Sequence, residues 1–230
     1  LCIWSVLANH RHSLTQVNRQ SAECGATRHQ HSEQFWRHID AVGRHHCRRR
    51  AIGPDHGRRA GWIGVEDFGA GSSVIKTNKR VVADMAKSSL KPKKYAQLLF
   101  RIVQYNKPAL IIELGTSFGI TTAYLAAGNT HAKVYTLEGS KAIAEIARKH
   151  LERSGPGQVE LITGNFNDTL PGILKKIDHT GLAFIDGNHR KVPTLDYFHQ
   201  LMNSCGSSSI LIFDDIHWSA EMEEAWAAII

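Results

Sequence analysis

The stretch IIELGTSFG, residues 111–119, decides the fold predicted for this chain. Its apolar run ends beside Glu113, and the glycine-containing loop leads directly into TTAYLAAG (121–128), which has helical character. A second apolar run, KVYTLE (133–138), follows that helix and ends in Glu138. A strand, a loop, a helix and a second strand closed by an acid predict a βαβ unit, the arrangement that holds a ribose by its hydroxyls.

Short apolar runs alternate with amphipathic segments through the rest of the chain. The runs are ALIIEL (109–114), KVYTLE (133–138), QVELITG (158–164), GLAFID (181–186) and SSILIFDD (208–215). Five strands that alternate with helices predict a mostly parallel sheet covered on both faces, which is the doubly wound, Rossmann-like α/β class. Ligands of such sheets bind at the carboxyl ends of the strands.

One further helix is predicted ahead of the first strand. PKKYAQLLFRIVQYN (92–106) has helical spacing, with a proline suited to the first turn and Pro108 beyond the end. The residues expected on its apolar side are Tyr95, Leu98, Leu99, Ile102 and Val103.

A second glycine-rich segment, VEDFGAGSS (65–73), competes for the role of ligand loop. It follows only the short candidate strand GWIGV (61–65) and leads into residues 74–90, which have a helical period. No second strand ending in an acid follows at the required distance, so the loop at 111–119 is favoured. That loop places Ser117 and Ile120 where a dinucleotide fingerprint needs glycine, which disfavours an NAD-dependent dehydrogenase.

The composition is that of a globular chain. It has 230 residues, of which 42% are hydrophobic and 21% charged, and no apolar run approaches the roughly 18 residues that span a bilayer. The four cysteines form no CxxC pair, which excludes a zinc ribbon of the usual spacing. We therefore expect a cytoplasmic protein without a membrane partner.

The net charge of +7 is concentrated in residues 1–62. This segment holds ten Arg and no Lys against four acids, and it also has eight of the 14 His. A metal site and a phosphate-contacting arm are two possible roles for this segment. The metal ligands would come from Cys24, His29, His31, His45, His46 and Cys47. We favour a disordered or artefactual extension, because the first Lys of the chain is Lys76 and the segment keeps no regular period.

The ordered set of strand-end motifs resembles the class I S-adenosylmethionine-dependent methyltransferases, specifically their small-molecule O-methyltransferase branch. The motifs are IIELGTSFGITTAYLA, TLEGS, GNF, FIDGNH and LIFDDIHW, and the resemblance covers residues 65–230. It implies S-adenosylmethionine as cofactor and a small-molecule hydroxyl as acceptor. It also implies a cap segment with its helix at 63–108, in which VEDFGAGSS helps to close the site, and a cofactor-binding domain at 109–230.

In that family the first loop surrounds the methionine part of the donor, the acid of the second strand binds the ribose, and the third loop borders the adenine. The residues implied are Glu113, Gly115, Thr116, Ser117 and Gly119 for the methionine, Glu138 for the ribose, and Gly164, Asn165 and Phe166 for the adenine.

The ends of strands four and five carry the residues expected to act on the acceptor. In metal-dependent catechol-type members, acids at these ends bind magnesium and a basic residue three positions after the first acid takes the substrate proton. The resemblance implies metal ligands at Asp186, Asp214 and Asp215, and His189 as the general base. The alternative is that such acids cap the following helix or, at Asp186, bind the donor's amino group without any metal. The chain has His for the usual Lys, and Asp for the usual Asn after the second acid.

The sequence is also compatible with other functions. Family members usually end in two further strands, so the chain is expected to be truncated at its carboxyl end, with an exposed sheet edge. A donor-binding module without catalysis is therefore the first alternative. A nucleic-acid methyltransferase is disfavoured, because no NPPY-like motif follows strand four. The sequence does not indicate an oligomeric state. His217 and Trp218 are candidates to face an acceptor ring.

Overall fold

The computed structural model of the chain describes residues 2–5, 62–65, 79–82, 85, 91–154 and 158–230. Its strands are β1 (Cys2–Ser5), β2 (Trp62–Gly64), β3 (Lys79–Val81), β4 (Leu110–Leu114), β5 (Lys133–Glu138), β6 (Gln158–Thr163), β7 (Thr180–Ile185) and β8 (Cys205–Phe213). Its helices are α1 (Lys93–Asn106), α2 (Ile120–Gly128), α3 (Lys141–Ser154), α4 (Phe166–Leu174), α5 (Lys191–Met202) and α6 (Ala220–Ile229). No helix among these residues is long and apolar enough to cross a membrane.

The main sheet has the strand order β1-β8-β7-β4-β5-β6. Strands β4 to β8 run parallel to one another, as the alternation of apolar runs predicted. The chain builds outward from β4 to β6 and then returns to the other side of β4 with β7 and β8. The order of strands therefore reverses between β4 and β7, which is the point where doubly wound sheets bind ligands.

Two apolar layers hold the helices against the sheet, because successive side chains of a strand point to opposite faces. In β4, Ile111 packs with α1 and α2, whereas Ile112 packs with α4, α5 and α6. Both side chains are fully buried. The central strands are thus covered on both sides, which explains their nearly continuous apolar sequences.

Helix α1 confirms the segment predicted from its spacing and begins after Pro92, the N-cap residue. Its buried residues are Ala96, Leu99, Ile102 and Val103. Tyr95 was expected on the same apolar side but is 36% exposed, since Ala96 occupies the position that contacts α2 and α3. These buried residues pack α1 against the sheet. The position of the helix in turn sets the position of Lys91 and Pro92, which directly precede it.

Two expectations about the flanking segments are corrected by the structure. Residues 74–90 were expected to be helical, but Lys79–Val81 forms a strand that pairs with β2, whereas Val82 and Met85 are helical as expected. The outer edge of β8 was expected to be exposed, but β1 pairs with it in antiparallel register, with Cys2 opposite Phe213 and Ser5 opposite Ile210. Backbone pairing therefore decides both segments, where the side-chain pattern alone was misleading.

The predicted cap is described only in part. Val65 is buried and packs with Phe118 of the glycine loop and Ile143 of α3. This contact places the beginning of VEDFGAGSS beside the loop at 111–119. The rest of that segment and the Cys and His residues weighed as a metal site in the amino-terminal extension lie outside the described residues.

Candidate active site

The glycine loop after β4 is bent by three left-handed residues. Gly115, Ser117 and Gly119 have φ angles of 106°, 49° and 77°. A Cβ atom on Gly115 would lie 2.2 Å from the backbone oxygen of Asp186, so only glycine allows β4 and β7 to approach this closely where the strand order reverses. The backbone N–H groups of Gly115 and Thr116 both donate to the Leu137 carbonyl at 3.0 Å, which ties the loop to the end of β5.

Glu138 closes the next strand and joins three segments. Its Oε2 accepts a hydrogen bond from the Ser117 backbone N–H at 2.9 Å, and its Oε1 accepts one from the Ser140 backbone N–H at 3.0 Å. The Gly164 N–H donates to the Glu138 carbonyl oxygen at 2.9 Å. The residue as a whole is buried. Its carboxylate is thus held by the loops after β4 and β5.

Glu113 lies beneath the glycine loop and is fully buried. Its Oε2 accepts hydrogen bonds from Thr122 Oγ1 at 2.5 Å and Thr136 Oγ1 at 2.6 Å. Thr136 is also 2.6 Å from Thr116 Oγ1. Burial raises the pKa of Glu113 to about 8 against these hydrogen bonds, with a smaller contribution from the charges of Asp186 and Glu138. Glu113 therefore supports the loop from below as a protonated acid at neutral pH.

The segment after β6 contributes a turn, a helix cap and an aromatic ring. Gly164 has a φ angle of 147°, and the Asn165 side chain caps α4 by accepting the Asn167 backbone N–H at 3.0 Å. Phe166 packs edge-on against Tyr197, with ring centroids 5.9 Å apart. Its ring also lies against Gly187, where an added Cβ would come within 2.7 Å. These contacts place Phe166 between the ends of β6 and β7.

Beyond β7 and β8, the structure brings together an imidazole and two carboxylates. His189 Nε2 lies 4.0 Å from Asp186 Oδ1 and 3.8 Å from Asp215 Oδ2. Ligand atoms of these three residues lie within 4.8 Å of one another, which is a spacing that a cation could bridge. The Trp218 ring is 6.0 Å from the imidazole and 40% exposed, so it borders the open side of the group.

The backbone at these strand ends is held in an unusual conformation. Asn188, His189 and Asp215 have φ angles of 71°, 52° and 50°, which non-glycine residues adopt at a cost. Such residues cluster at active sites, where surrounding contacts over-determine their positions. One of these contacts is a hydrogen bond from Asn188 Nδ2 to the Tyr197 hydroxyl at 3.0 Å.

Lys91 is the residue of the site that sequence reasoning missed. Its Nζ lies 2.9 Å from Asp186 Oδ2 and also forms an ion pair with Asp214 Oδ2. The three side chains are 12%, 18% and 9% exposed, respectively. Burial raises the pKa of Asp186, while the Lys91 ammonium and His189 oppose that rise.

The predicted residues thus fall into two neighbouring groups at one edge of the sheet. The residues implied for the cofactor line the ends of β4, β5 and β6, and Asp186 stands where this group meets the second. Asp186, His189 and Asp215 come together, whereas Asp214 faces Lys91. His217 is 77% exposed and pairs with Glu223 Oε1 at 3.1 Å, so it lies apart from the imidazole of His189.

Comparisons with known proteins agree with this architecture. The sequence profile of a family described as a methyltransferase domain matches residues 112–216. A catechol O-methyltransferase of Mycobacterium tuberculosis is 31% identical over 108 residues, which cover 46% of this chain and 47% of that protein. The O-methyltransferase imqG of Aspergillus flavus is 27% identical over 111 residues, which cover 46% and 44%. The chain therefore spans about half the length of these curated relatives.

Solved structures show the same fold. An O-methyltransferase from Bacillus cereus in complex with SAH (S-adenosylhomocysteine) matches with a TM-score of 0.55 and 26% identity, covering 61% of this chain and 68% of that one. The O-methyltransferase TomG from Streptomyces achromogenes, in complex with SAM (S-adenosylmethionine), matches at 0.53 and 21% identity over 61% and 68%. The methyltransferase-domain profile over residues 112–216, the strand order and the glycine loop after β4 thus make this part of the chain similar to O-methyltransferases that bind S-adenosylmethionine or its product.

Proposed function

We propose that this chain binds S-adenosylmethionine and transfers its methyl group to a hydroxyl of a small molecule. The observation that carries the proposal is the convergence of Gly115, Ser117, Glu138 and Asp186 where the strand order reverses. This is where a doubly wound sheet binds a nucleoside. The names of the relatives, a catechol O-methyltransferase among them, support hydroxyl groups as acceptors.

The cofactor would lie across the ends of β4, β5 and β6. The left-handed turn at Gly115 and Ser117 lets the methionine part approach the backbone closely. Backbone N–H groups of Ser117 and Ser140 hold the Glu138 carboxylate at the end of β5, where the acid of a βαβ unit binds the hydroxyls of a ribose. Phe166 and the turn at Gly164 would border the adenine.

When bound, the donor supplies a methyl group made electrophilic by its sulfonium. The acceptor oxygen must stand in line with that methyl group and lose its proton as the new C–O bond forms and the C–S bond breaks. His189 Nε2 would take the proton, because it is the imidazole nitrogen that the strand ends place between Asp186 and Asp215. These two carboxylates would stabilise the imidazolium once Nε2 is protonated.

The predicted metal ligands Asp186, Asp214 and Asp215 do not fit one shared divalent cation as they are arranged, although ligand atoms of Asp186, His189 and Asp215 lie within 4.8 Å of one another. Two of these carboxylates face the ammonium of Lys91, which lies 2.9 Å from one of them. A dication bound to the same pair would be repelled by that ammonium. At a separation of about 4 Å and an effective dielectric constant of about 20, the repulsion is about 8 kcal/mol, twice the value for unit charges. No step of the proposed mechanism therefore passes through a metal.

Transfer of a labelled methyl group tests the proposal. The full chain is incubated with S-adenosylmethionine labelled on its methyl group and with catechols and other hydroxylated aromatics. We expect label in at least one acceptor, lost in His189→Gln and kept in His217→Gln, whose imidazole lies outside the group. Donor binding without transfer to any acceptor would instead favour a donor-binding module. A folded chain that binds no donor would contradict the proposal.

A further inference from the structure

We propose that the ammonium of Lys91 takes the place of a divalent cation at the Asp186 and Asp214 carboxylates, so that methyl transfer at this site needs no metal. The inference rests on the proposed function for its catalytic part. Its structural part, the exclusion of a divalent cation by Lys91, rests on the ion pairs. It extends to the group of Asp186, His189 and Asp215, because the Lys91 ammonium already pairs with Asp186 of that group.

The ion pairs are built into the fold. Asp186 and Asp214 directly follow neighbouring parallel strands, and their backbone N–H groups donate to Leu114 and Ile185 at 2.9 Å each, continuing the strand ladder. The two carboxylates are therefore fixed side by side. Lys91 reaches both, with 12% of its side chain exposed.

Lys91 is held from its own side as well. It immediately precedes Pro92, the N-cap of α1, and the Pro92 carbonyl accepts the Tyr95 and Ala96 backbone N–H groups at 2.9 and 3.3 Å. Its Nζ lies 5.9 Å from the centre of the Phe184 ring in β7. The buried face of α1 then fixes the backbone from which the side chain extends.

The position of the ammonium suits an acceptor oxygen. Lys91 contacts Asp186 Oδ2, whereas His189 lies beside Oδ1 of the same carboxylate. The ammonium and the imidazole thus flank one carboxylate. An ammonium has three N–H donors, so two carboxylate partners leave one for the acceptor oxygen. Lys91 would stabilise the charge that develops on this oxygen as His189 takes its proton.

Manganese binding tests the structural part. Free Mn²⁺ is followed by electron paramagnetic resonance as the full chain is added, without donor. We expect the wild type and Lys91→Arg, which keeps the charge, to bind no more Mn²⁺ than Asp186→Asn, which has the same His-rich residues 1–62 but lacks one carboxylate of the site. Lys94→Met is the matched control, because this lysine lies in the first turn of α1 and its Nζ lies over the Tyr95 ring, at 4.7 Å. Removing the charge in Lys91→Met should strengthen Mn²⁺ binding at least about tenfold.

A second measurement tests the catalytic part. We expect EDTA to leave methyl transfer by the wild type unchanged, and Lys91→Met to lower kcat while the affinity for S-adenosylhomocysteine stays the same. Loss of transfer in EDTA with recovery in Mg²⁺ would overturn the proposal. So would Mn²⁺ binding by the wild type that Lys91→Met does not strengthen. If Lys91→Met does not fold, the wild-type Mn²⁺ and EDTA results still decide. A failed proposed function would show separately, as absent binding of S-adenosylhomocysteine.

Discussion

The carboxylate of Glu138 accepts the backbone N–H of Ser117, 21 residues earlier in the chain, at 2.9 Å. This hydrogen bond joins the end of β5 to the glycine loop after β4. One side chain thus shapes the loop and also closes the strand at whose end the proposed ribose site lies. A substitution at Glu138 is therefore expected to affect both the loop and the cofactor.

Gly115→Ala should destabilise the fold and weaken cofactor binding together. The new Cβ would meet the Asp186 backbone at 2.2 Å, and alanine disfavours the φ angle of 106°. We expect the free energy of unfolding in urea to fall by about 2 kcal/mol or more. Gly172→Ala is the control, since nothing lies within 4 Å of its added Cβ and it stands inside α4. It should be neutral or slightly stabilising, and equal losses in the two variants would contradict the close approach of β4 and β7.

Glu113 should make the stability of the protein decrease with rising pH. Its folded-state pKa is raised from 4.5 to about 8, so the folded state holds the proton more tightly than the unfolded chain. The stabilisation is complete below about pH 4.5 and is lost as the pH rises to about 8. It amounts to a few kcal/mol for a fully buried group.

Urea unfolding at about pH 5.5 and about pH 8.5 measures this effect. The wild type should lose more stability over this interval than Glu113→Gln, which keeps the hydrogen-bonding shape without the titration. Parallel curves for the two proteins would show that Glu113 is ionised in the folded state across the range.

The parallel sheet and its strand ends could be predicted from the sequence because both depend on local patterns. Apolar runs of five to nine residues separated by helical segments lead to the order of β4 to β8. Parallel strands bring their last residues to one edge, which predicts that Asp186 and Asp214 lie on the same rim of the sheet, where both pair with Lys91.

The missed features depend on contacts between segments far apart in the chain. Lys91 precedes Asp186 by 95 residues, and no spacing rule distinguishes it from Lys93 or Lys94. The pairing of β1 with β8 joins residues 2–5 to residues 210–213 through backbone hydrogen bonds. The sequence around Cys2–Ser5 has no regular period that would predict this strand. Whether such a strand forms depends on its packing against neighbouring strands in the folded protein, and not on its own sequence alone.

His189→Gln should reduce kcat by about 100- to 10,000-fold, the usual contribution of a general base. The affinity for S-adenosylhomocysteine should stay within about twofold, because His189 lies on the acceptor side of Asp186. Steady-state kinetics and calorimetry separate these effects. A variant with normal kcat would assign proton transfer to another group.

Asn165→Ala separates the two roles predicted for that residue. Loss of its hydrogen bond to Asn167 should cost about 1 kcal/mol of stability. Ser219→Ala removes the equivalent cap of α6, where the hydroxyl accepts the Met222 N–H at 3.2 Å, and should cost about as much. Only Asn165→Ala should also weaken S-adenosylhomocysteine binding. Unchanged binding in both variants would limit Asn165 to capping α4.

Calorimetric titration of the full chain with S-adenosylhomocysteine tests the central claim most directly. The matched variants are Glu138→Gln and Glu160→Gln, the second of which changes a 48% exposed acid on β6 that pairs with Lys133. We predict micromolar binding by the wild type and by Glu160→Gln, and binding at least about tenfold weaker by Glu138→Gln. No heat of binding from a cooperatively folded wild-type sample, or the same affinity in Glu138→Gln, would contradict a cofactor site at the ends of β4 and β5.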